Sequence, residues 1–179
     1  MTAGTPAAYF HKLRPPVIFF CLWRHPPMEI ERKYLIHTLP ENLEQFPSHQ
    51  IEQGYLCTNP VVRIRKQDSD YYLTYKGKGL MIREEYNLPL TAAAYEHLKS
   101  KIDGILLSKT RYLLPLSDTL TIELDIFDAP FRGLYLAEVE FPDADTANAF
   151  IPPDWFGEDV TFSSKYHNST LSMYDEGLH

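Results

Sequence analysis

Charged residues recur two positions apart in six separate stretches of this chain, and that spacing limits what it can fold into. Glu29, Glu31 and Lys33 alternate with Ile30 and Arg32, and the spacing returns at Arg63/Arg65, Arg83/Glu85, Lys109/Arg111, Glu123/Asp125 and Glu138/Glu140. Successive side chains of a strand point to opposite faces, so residues two apart share one. Val62, Ile64 and Lys66 oppose Arg63 and Arg65, Ile122, Leu124 and Ile126 oppose the acids of their stretch, and Ala137, Val139 and Phe141 oppose Glu138 and Glu140. Lys109 and Arg111 share their face with Leu107. These stretches therefore read as strands whose charges gather on one face, with apolar residues opposite them in most.

Strand signals cover 28-37, 51-57, 60-67, 70-77, 80-88, 106-115, 118-127 and 133-141, each bounded by turn residues. Gly77-Lys78-Gly79 reads as a tight hairpin with positive backbone angles, and Leu116-Ser117-Asp118 as another turn. Eight short strands with close turns predict an antiparallel sheet closed into a barrel, because closure removes exposed edges. Helices are few. Thr91 is a predicted N-cap for a helix with Tyr95, Leu98 and Ile102 on one stripe and Gly104 past its end. Asp143 caps a second short helix through Phe150, stopped by Pro152 and Pro153, and Asn168 begins a third. The fold class expected is mainly β (α+β), an eight-stranded antiparallel barrel with a few flanking helices.

A solvated face of a half-buried strand is the ordinary explanation for any one charged row. Such faces need not sort by sign, yet Arg63/Arg65 and Lys109/Arg111 are basic while Glu123/Asp125 and Glu138/Glu140 are acidic. If the apolar faces meet helices outside the barrel, the charged faces line its inside. Ions in a dry interior cost several kcal/mol each, and a barrel of about eight strands holds only side chains or one small ligand. Both signs fit inside only with water, metal ions and a polyanion. Arginine gives phosphate oxygens forked contacts, and carboxylates suit hard cations such as Mg²⁺ or Mn²⁺.

Length and composition leave little else. The 179 residues suit one domain, with 44% hydrophobic and 23% charged residues. A net charge of -7 argues against a nucleic-acid surface. Cys21 and Cys57 lack metal spacing and read as reduced thiols of a cytoplasmic protein. The apolar run Val17–Trp23 is too short for a membrane helix, and Arg24, His25, Pro26 and Pro27 follow it in place of a cleavage site. Residues 1–27 read as an extension, disordered or non-native, with Met28 as the expected natural start of a domain over 28–179. No phosphate-binding Gly-rich loop or nucleophile elbow is present. His37, His49, His97 and His167 read as surface or packing residues, Tyr71, Tyr72 and Tyr75 as barrel packing, and Trp155-Phe156 as closing the barrel wall.

Glu29-Ile30-Glu31-Arg32-Lys33 resembles the E-x-E-x-K signature of the CYTH superfamily, the triphosphate tunnel metalloenzymes. The resemblance continues through Gln53–Leu56, Arg63–Arg65, Lys76, Arg83–Glu85, Lys109–Tyr112, Glu123–Asp125, Glu138–Phe141 and Phe150–Gly157, over about residues 28 to 179. It implies a metal-dependent enzyme that splits inorganic tripolyphosphate to diphosphate and phosphate inside the tunnel, with Mg²⁺ or Mn²⁺ as cofactor. It places Glu29, Glu31, Glu85, Glu123, Asp125, Glu138 and Glu140 on the metal side. Lys33, Arg63, Arg65, Lys76, Arg83, Lys109, Arg111 and Lys165 fall on the phosphate side. Lys33 with Tyr55 resembles a catalytic pair, Lys33 being the expected general base with a pKa lowered by like charges and burial; Lys109 is the rival. Asn87 stands where the family pattern has a further acid, and Lys165 matches its position weakly. The alternatives are an adenylate cyclase, a triphosphatase for thiamine triphosphate or a nucleotide, and a polyphosphate-binding module. The expected partners are a small polyanion, with no nucleic acid or membrane, and the expected state is a monomer or homodimer.

Overall fold

The computed structural model describes residues 28–175. The expectations for residues 1–27, Cys21 included, lie outside the described residues. Eight antiparallel strands form the wall: β1 (Met28–Leu35), β2 (Ser48–Thr58), β3 (Val61–Gln67), β4 (Asp70–Lys76), β5 (Ile82–Pro89), β6 (Asp103–Pro115), β7 (Thr121–Phe127) and β8 (Tyr135–Glu140). They close in the order β1-β5-β4-β3-β2-β6-β7-β8. The expected barrel is therefore present, with every expected strand in place. Its helices are α1 (Ala92–Lys99), α2 (Ala144–Ala149) and α3 (Asn168–Leu171). Among the described residues no helix is long and apolar enough to cross a membrane.

Local chemistry accounts for the helices. The Thr91 side chain accepts a hydrogen bond from the Ala94 amide and Asp143 from the Thr146 amide, so both predicted N-caps satisfy a first-turn N–H. Tyr95 is fully buried on the inner face of α1, and its hydroxyl donates to Glu52 at 2.6 Å while Lys99 reaches the same carboxylate at 2.8 Å.

Turn geometry differs from the expectation in one place. The β4–β5 connection spans 77–81, and of its two glycines only Gly79 has a positive φ, of 135°. A Cβ there would lie 1.9 Å from the Ile82 carbonyl, so the close backbone approach requires glycine. β2 and β6 start three residues earlier than their sequence patterns, because Ser48, His49 and Gln50 pair with Tyr112, Arg111 and Thr110, and Asp103 pairs with Tyr55.

The core lies outside the barrel wall. Leu114, Ile122, Leu124, Ala137 and Val139 point outward and meet Ile36, Phe141 and Ala147, with Phe150, Trp155 and Phe156 packed over them. Trp155 and Phe156 thus close an outer layer over the wall. Tyr75 does not pack in the barrel: it is exposed on the outside, its ring 6.2 Å from that of Tyr86. With the apolar faces outward, the charged faces are left inside.

β1 is shared between partners. Met28–Ile30 pair with β5, and Glu31–Leu35 pair with β8. The edge of β1 that β5 leaves open is taken by residues 157–161. Gly157 donates to the Leu35 carbonyl at 2.8 Å, Leu35 to Glu158 at 2.9 Å and Val160 to Lys33 at 2.8 Å. The Lys33 amide donates to Thr161 Oγ1 at 3.0 Å. Outside the wall, Arg32 binds the Ala147 and Phe150 carbonyls and pairs with Asp159, tying this strap to the end of α2.

Candidate active site

The strand register turns six charged rows into one lining. Glu31 lies opposite Glu140 and Lys33 opposite Glu138 across β1–β8, while Glu138 lies opposite Glu123 across β7–β8. Arg63 on β3 faces Tyr55 on β2 and Thr74 on β4, and Lys76 on β4 faces Glu85 on β5. The result is a cavity of about 160 Å³ inside the barrel. Of the expected metal-side residues, Glu29, Glu31, Glu85, Glu123, Glu138 and Glu140 line it. Of the expected phosphate-side residues, Lys33, Arg63, Arg65, Lys76, Arg83 and Arg111 line it, and so does Tyr55.

Three expected site residues are elsewhere. Lys109 is 1% exposed behind the lining, its ammonium paired with Asp125 and over the Phe127 ring at 5.2 Å. Asp125 is fully buried and is consumed by protein contacts: its oxygens also accept from Arg111 Nε and Nη2 at 2.7 Å each. Lys165 lies over the Tyr166 ring, beside a groove that Phe131, Leu134 and Tyr174 also line, and not in the tunnel. The chain turns at Ser164–Tyr166, so the next residues, His167, Asn168 and Ser169, reach the cavity in its place.

Most cations of the lining are already held. Lys76 Nζ reaches Glu29 at 2.7 Å and Glu85 at 2.6 Å. Arg83 bridges Glu29 and Glu31 at 2.8 Å each. Arg111 pairs with Glu123 and with Glu138, the latter at 2.6 Å. Two arginines are different. Arg63 is 3% exposed, its Nε and Nη2 have no hydrogen-bond partner among the described residues, and its nearest acid, Glu85, is 4.0 Å away. Arg65 Nε also lacks a partner, and burial, with Arg63 and Arg111 nearby, pushes the Arg65 guanidinium down to about 10. A buried donor without a partner costs about 1–3 kcal/mol, so this wall calls for an anion.

The acids complement it. Burial pushes Glu140 upward, reinforced by Glu123, Glu31 and Glu85. Burial and Glu31 push Glu29 up to about 7, against the pull of Lys76 and Arg83. Glu85 is held low: Lys76, Arg63 and its contact with Glu29 outweigh burial. Asn87, in place of a further acid, donates to Glu85 at 2.8 Å and accepts from Thr74 at 2.6 Å, so it braces Glu85.

Lys33 departs from the sequence expectation. Burial alone would lower its pKa, but Glu138 at 2.7 Å, then Glu31, outweigh burial and raise it. Its ammonium is stabilised, which does not suit a base at neutral pH. Lys109 is pushed down to about 8 by burial, partly offset by Asp125. Tyr55 is buried, and its hydroxyl is 3.4 Å from Gln53 Nε2. His167, expected as a surface or packing residue, lines the cavity, and burial, with the positive charges of Lys33 and Arg83, lowers its pKa.

The model of the CYTH domain matches residues 27–172. An inorganic triphosphatase of Nitrosomonas europaea is 39% identical over 148 residues, covering 81% of this chain and 97% of that protein. One from Acetivibrio thermocellus is 35% identical over 124 residues, covering 66% of this chain and 77% of that protein. The crystal structure of an inorganic triphosphatase superposes with a TM-score of 0.63 at 37% identity, over 82% of this chain and 95% of that one.

Proposed function

This chain belongs to the CYTH domain family, and from that premise we infer that it is a triphosphatase that hydrolyses inorganic tripolyphosphate to diphosphate and phosphate. The observation that carries the reading is the pair Arg63 and Arg65: both line the charged cavity, both are only loosely neutralised, and both have buried N–H groups without a hydrogen-bond partner among the described residues. The relatives named as inorganic triphosphatases support the same substrate. Among the described residues Tyr55, Val61 and the His167 ring alone give the lining an apolar or aromatic face, so it offers little on which a nucleobase or thiamine ring could stack. That favours the inorganic substrate over an organic triphosphate and over cyclase chemistry.

The donor set fits a hard divalent cation such as Mg²⁺ or Mn²⁺, because Glu29, Glu31, Glu85, Glu123, Glu138 and Glu140 present carboxylate oxygens alone. No three acidic groups among the described residues already surround one point, since Lys33, Lys76, Arg83 and Arg111 engage them. A bound divalent ion supplies charge neutralisation along the triphosphate and polarises a phosphoryl oxygen. Glu31 and Glu140, opposite each other, are the first residues we assign to hold it, with Glu29, Glu85 and Glu123 beside them. Arg63 and Arg65 grip phosphate oxygens by forked contacts. Lys33, kept charged by Glu138, neutralises the reacting phosphate rather than abstracting a proton. Asp125, itself paired with Lys109, holds Arg111 from behind. In the reaction a water oxygen bonds to a terminal phosphorus and the bridging P–O bond breaks. Diphosphate leaves with the bonding pair, one water proton stays on the new phosphate and the other passes to solvent.

The test is release of phosphate from tripolyphosphate, ATP and thiamine triphosphate, each with Mg²⁺ and Mn²⁺. The expected result is turnover of tripolyphosphate well above that of the organic substrates, with none when EDTA removes the metal. Binding of tripolyphosphate without release, or formation of cyclic AMP from ATP, would overturn the reading.

A further inference from the structure

Asn168 is a polar group of the tunnel that neither the charged rows nor the assignments above use. Asn168 lines the cavity, and its Oδ1 is buried with no hydrogen-bond partner among the described residues. Its backbone is fixed: the Asn168 carbonyl accepts from the Ser172 amide at 2.9 Å, and the preceding His167 carbonyl accepts from Thr170 and Leu171 at 2.9 Å each. The segment that carries it is in turn anchored to β1 by the strap of residues 157–161. The side chain is thus delivered into the cavity by two layers of main-chain hydrogen bonds, yet its acceptor is left unmet.

An unmet buried acceptor needs a donor. Phosphate oxygens of a fully ionised triphosphate only accept, so the substrate itself cannot satisfy Oδ1. The ammonium and guanidinium groups of the lining are claimed by carboxylates or, in the reading above, by phosphate. The Tyr55 and Ser169 hydroxyls also line the cavity but leave Oδ1 unpartnered, so water is the remaining ligand with an O–H to give. A water that donates one hydrogen to Asn168 Oδ1 is held with its lone pairs free to face the phosphate chain.

We propose that Asn168 holds the attacking water of the triphosphatase reaction. The assignment rests on the reading of the cavity as a tripolyphosphate site. The carboxamide takes no proton: it accepts a hydrogen bond from the water, whose oxygen forms the new bond to phosphorus while the bridging P–O bond breaks and the second proton leaves to solvent. Losing one such positioning contact costs about 100-fold in kcat, and the KM for tripolyphosphate stays within about threefold because binding rests on the arginines.

The experiment compares the full chain with Asn168→Ala and Asn168→Asp. Initial rates are taken with Mg²⁺ over a range of tripolyphosphate concentrations, about 10 °C below the lowest melting temperature of the three so that each is folded. Asn168→Ala is expected to lose about 100-fold in kcat with little change in KM, and Asn168→Asp, which keeps the acceptor, to recover kcat to within about tenfold of wild type. An active wild type with an unaffected Asn168→Ala, a loss confined to KM, or a folded Asn168→Asp as inert as Asn168→Ala would overturn the assignment alone. A wild type inert on tripolyphosphate would overturn the underlying reading and this assignment with it.

Discussion

Lys33 shows what one residue owes to distant parts of the chain. Alternation along β1 places it in the cavity, and that much is legible in Glu29-Ile30-Glu31-Arg32-Lys33. Its protonation is not legible, because Glu138, which sets it, comes from β8, the last strand along the chain, which barrel closure brings beside β1. The raised pKa fixes the sign of a pH effect. The pairing contributes stability that is fully present below the ordinary lysine value of 10.5 and is lost as pH rises through the higher folded value. Lys33→Met is therefore expected to flatten the loss of stability at strongly alkaline pH, measured by urea unfolding across that range. At neutral pH the same variant should lose about 3 kcal/mol, because Glu138 is left buried with only Arg111 against it. Lys165 and Asn168 give the opposite lesson. The basic residue suggested by charge sits outside the tunnel, and the neutral one three positions on sits inside it. An uncharged amide carries no sign in a charge pattern, so only the path of the backbone reveals it.

Among the elements, the strands were readable because each alternates, and the barrel because eight of them need closure. The strap of residues 157–161 was not. It has no alternation of its own and is placed by the edge of β1 that β5 leaves unpaired. Gly157 is the point where this matters most: a Cβ there would come within 2.7 Å of the Leu35 carbonyl, a backbone atom that cannot give way. Gly157→Ala is expected to lose about 1–3 kcal/mol of stability by denaturant unfolding, and to lower kcat because the segment bearing His167, Asn168 and Ser169 shifts with the strap. Helix α1 offers a contrasting case far from the site. Its Tyr95 hydroxyl and Lys99 bind Glu52, and these contacts outweigh burial to hold the Glu52 carboxyl below its ordinary value. Tyr95→Phe should cost about 1–2 kcal/mol in the same unfolding measurement while leaving turnover unchanged.

The whole molecule resolves the apparent conflict in its composition. A chain of net charge -7 keeps a cluster of arginines and lysines inside a barrel, where acids of the adjoining strands hold most of them. Sorting of charge by strand is visible in the sequence as rows. Which cations are neutralised and which are left for an anion depends on cross-strand register, and that emerges only when β3, with Arg63 and Arg65, is seen facing Tyr55, Thr74 and Gln53 rather than carboxylates. We propose that these two arginines and the opposing acids Glu31 and Glu140 form one hydrolytic site. It is tested most directly by the rate of phosphate release from tripolyphosphate with Mg²⁺ in Arg65→Ala and Glu31→Ala, each checked for an unchanged far-UV circular dichroism spectrum. Folded variants that lose about 100-fold or more would bear the claim out; folded variants that turn over tripolyphosphate at near the wild-type rate would contradict it.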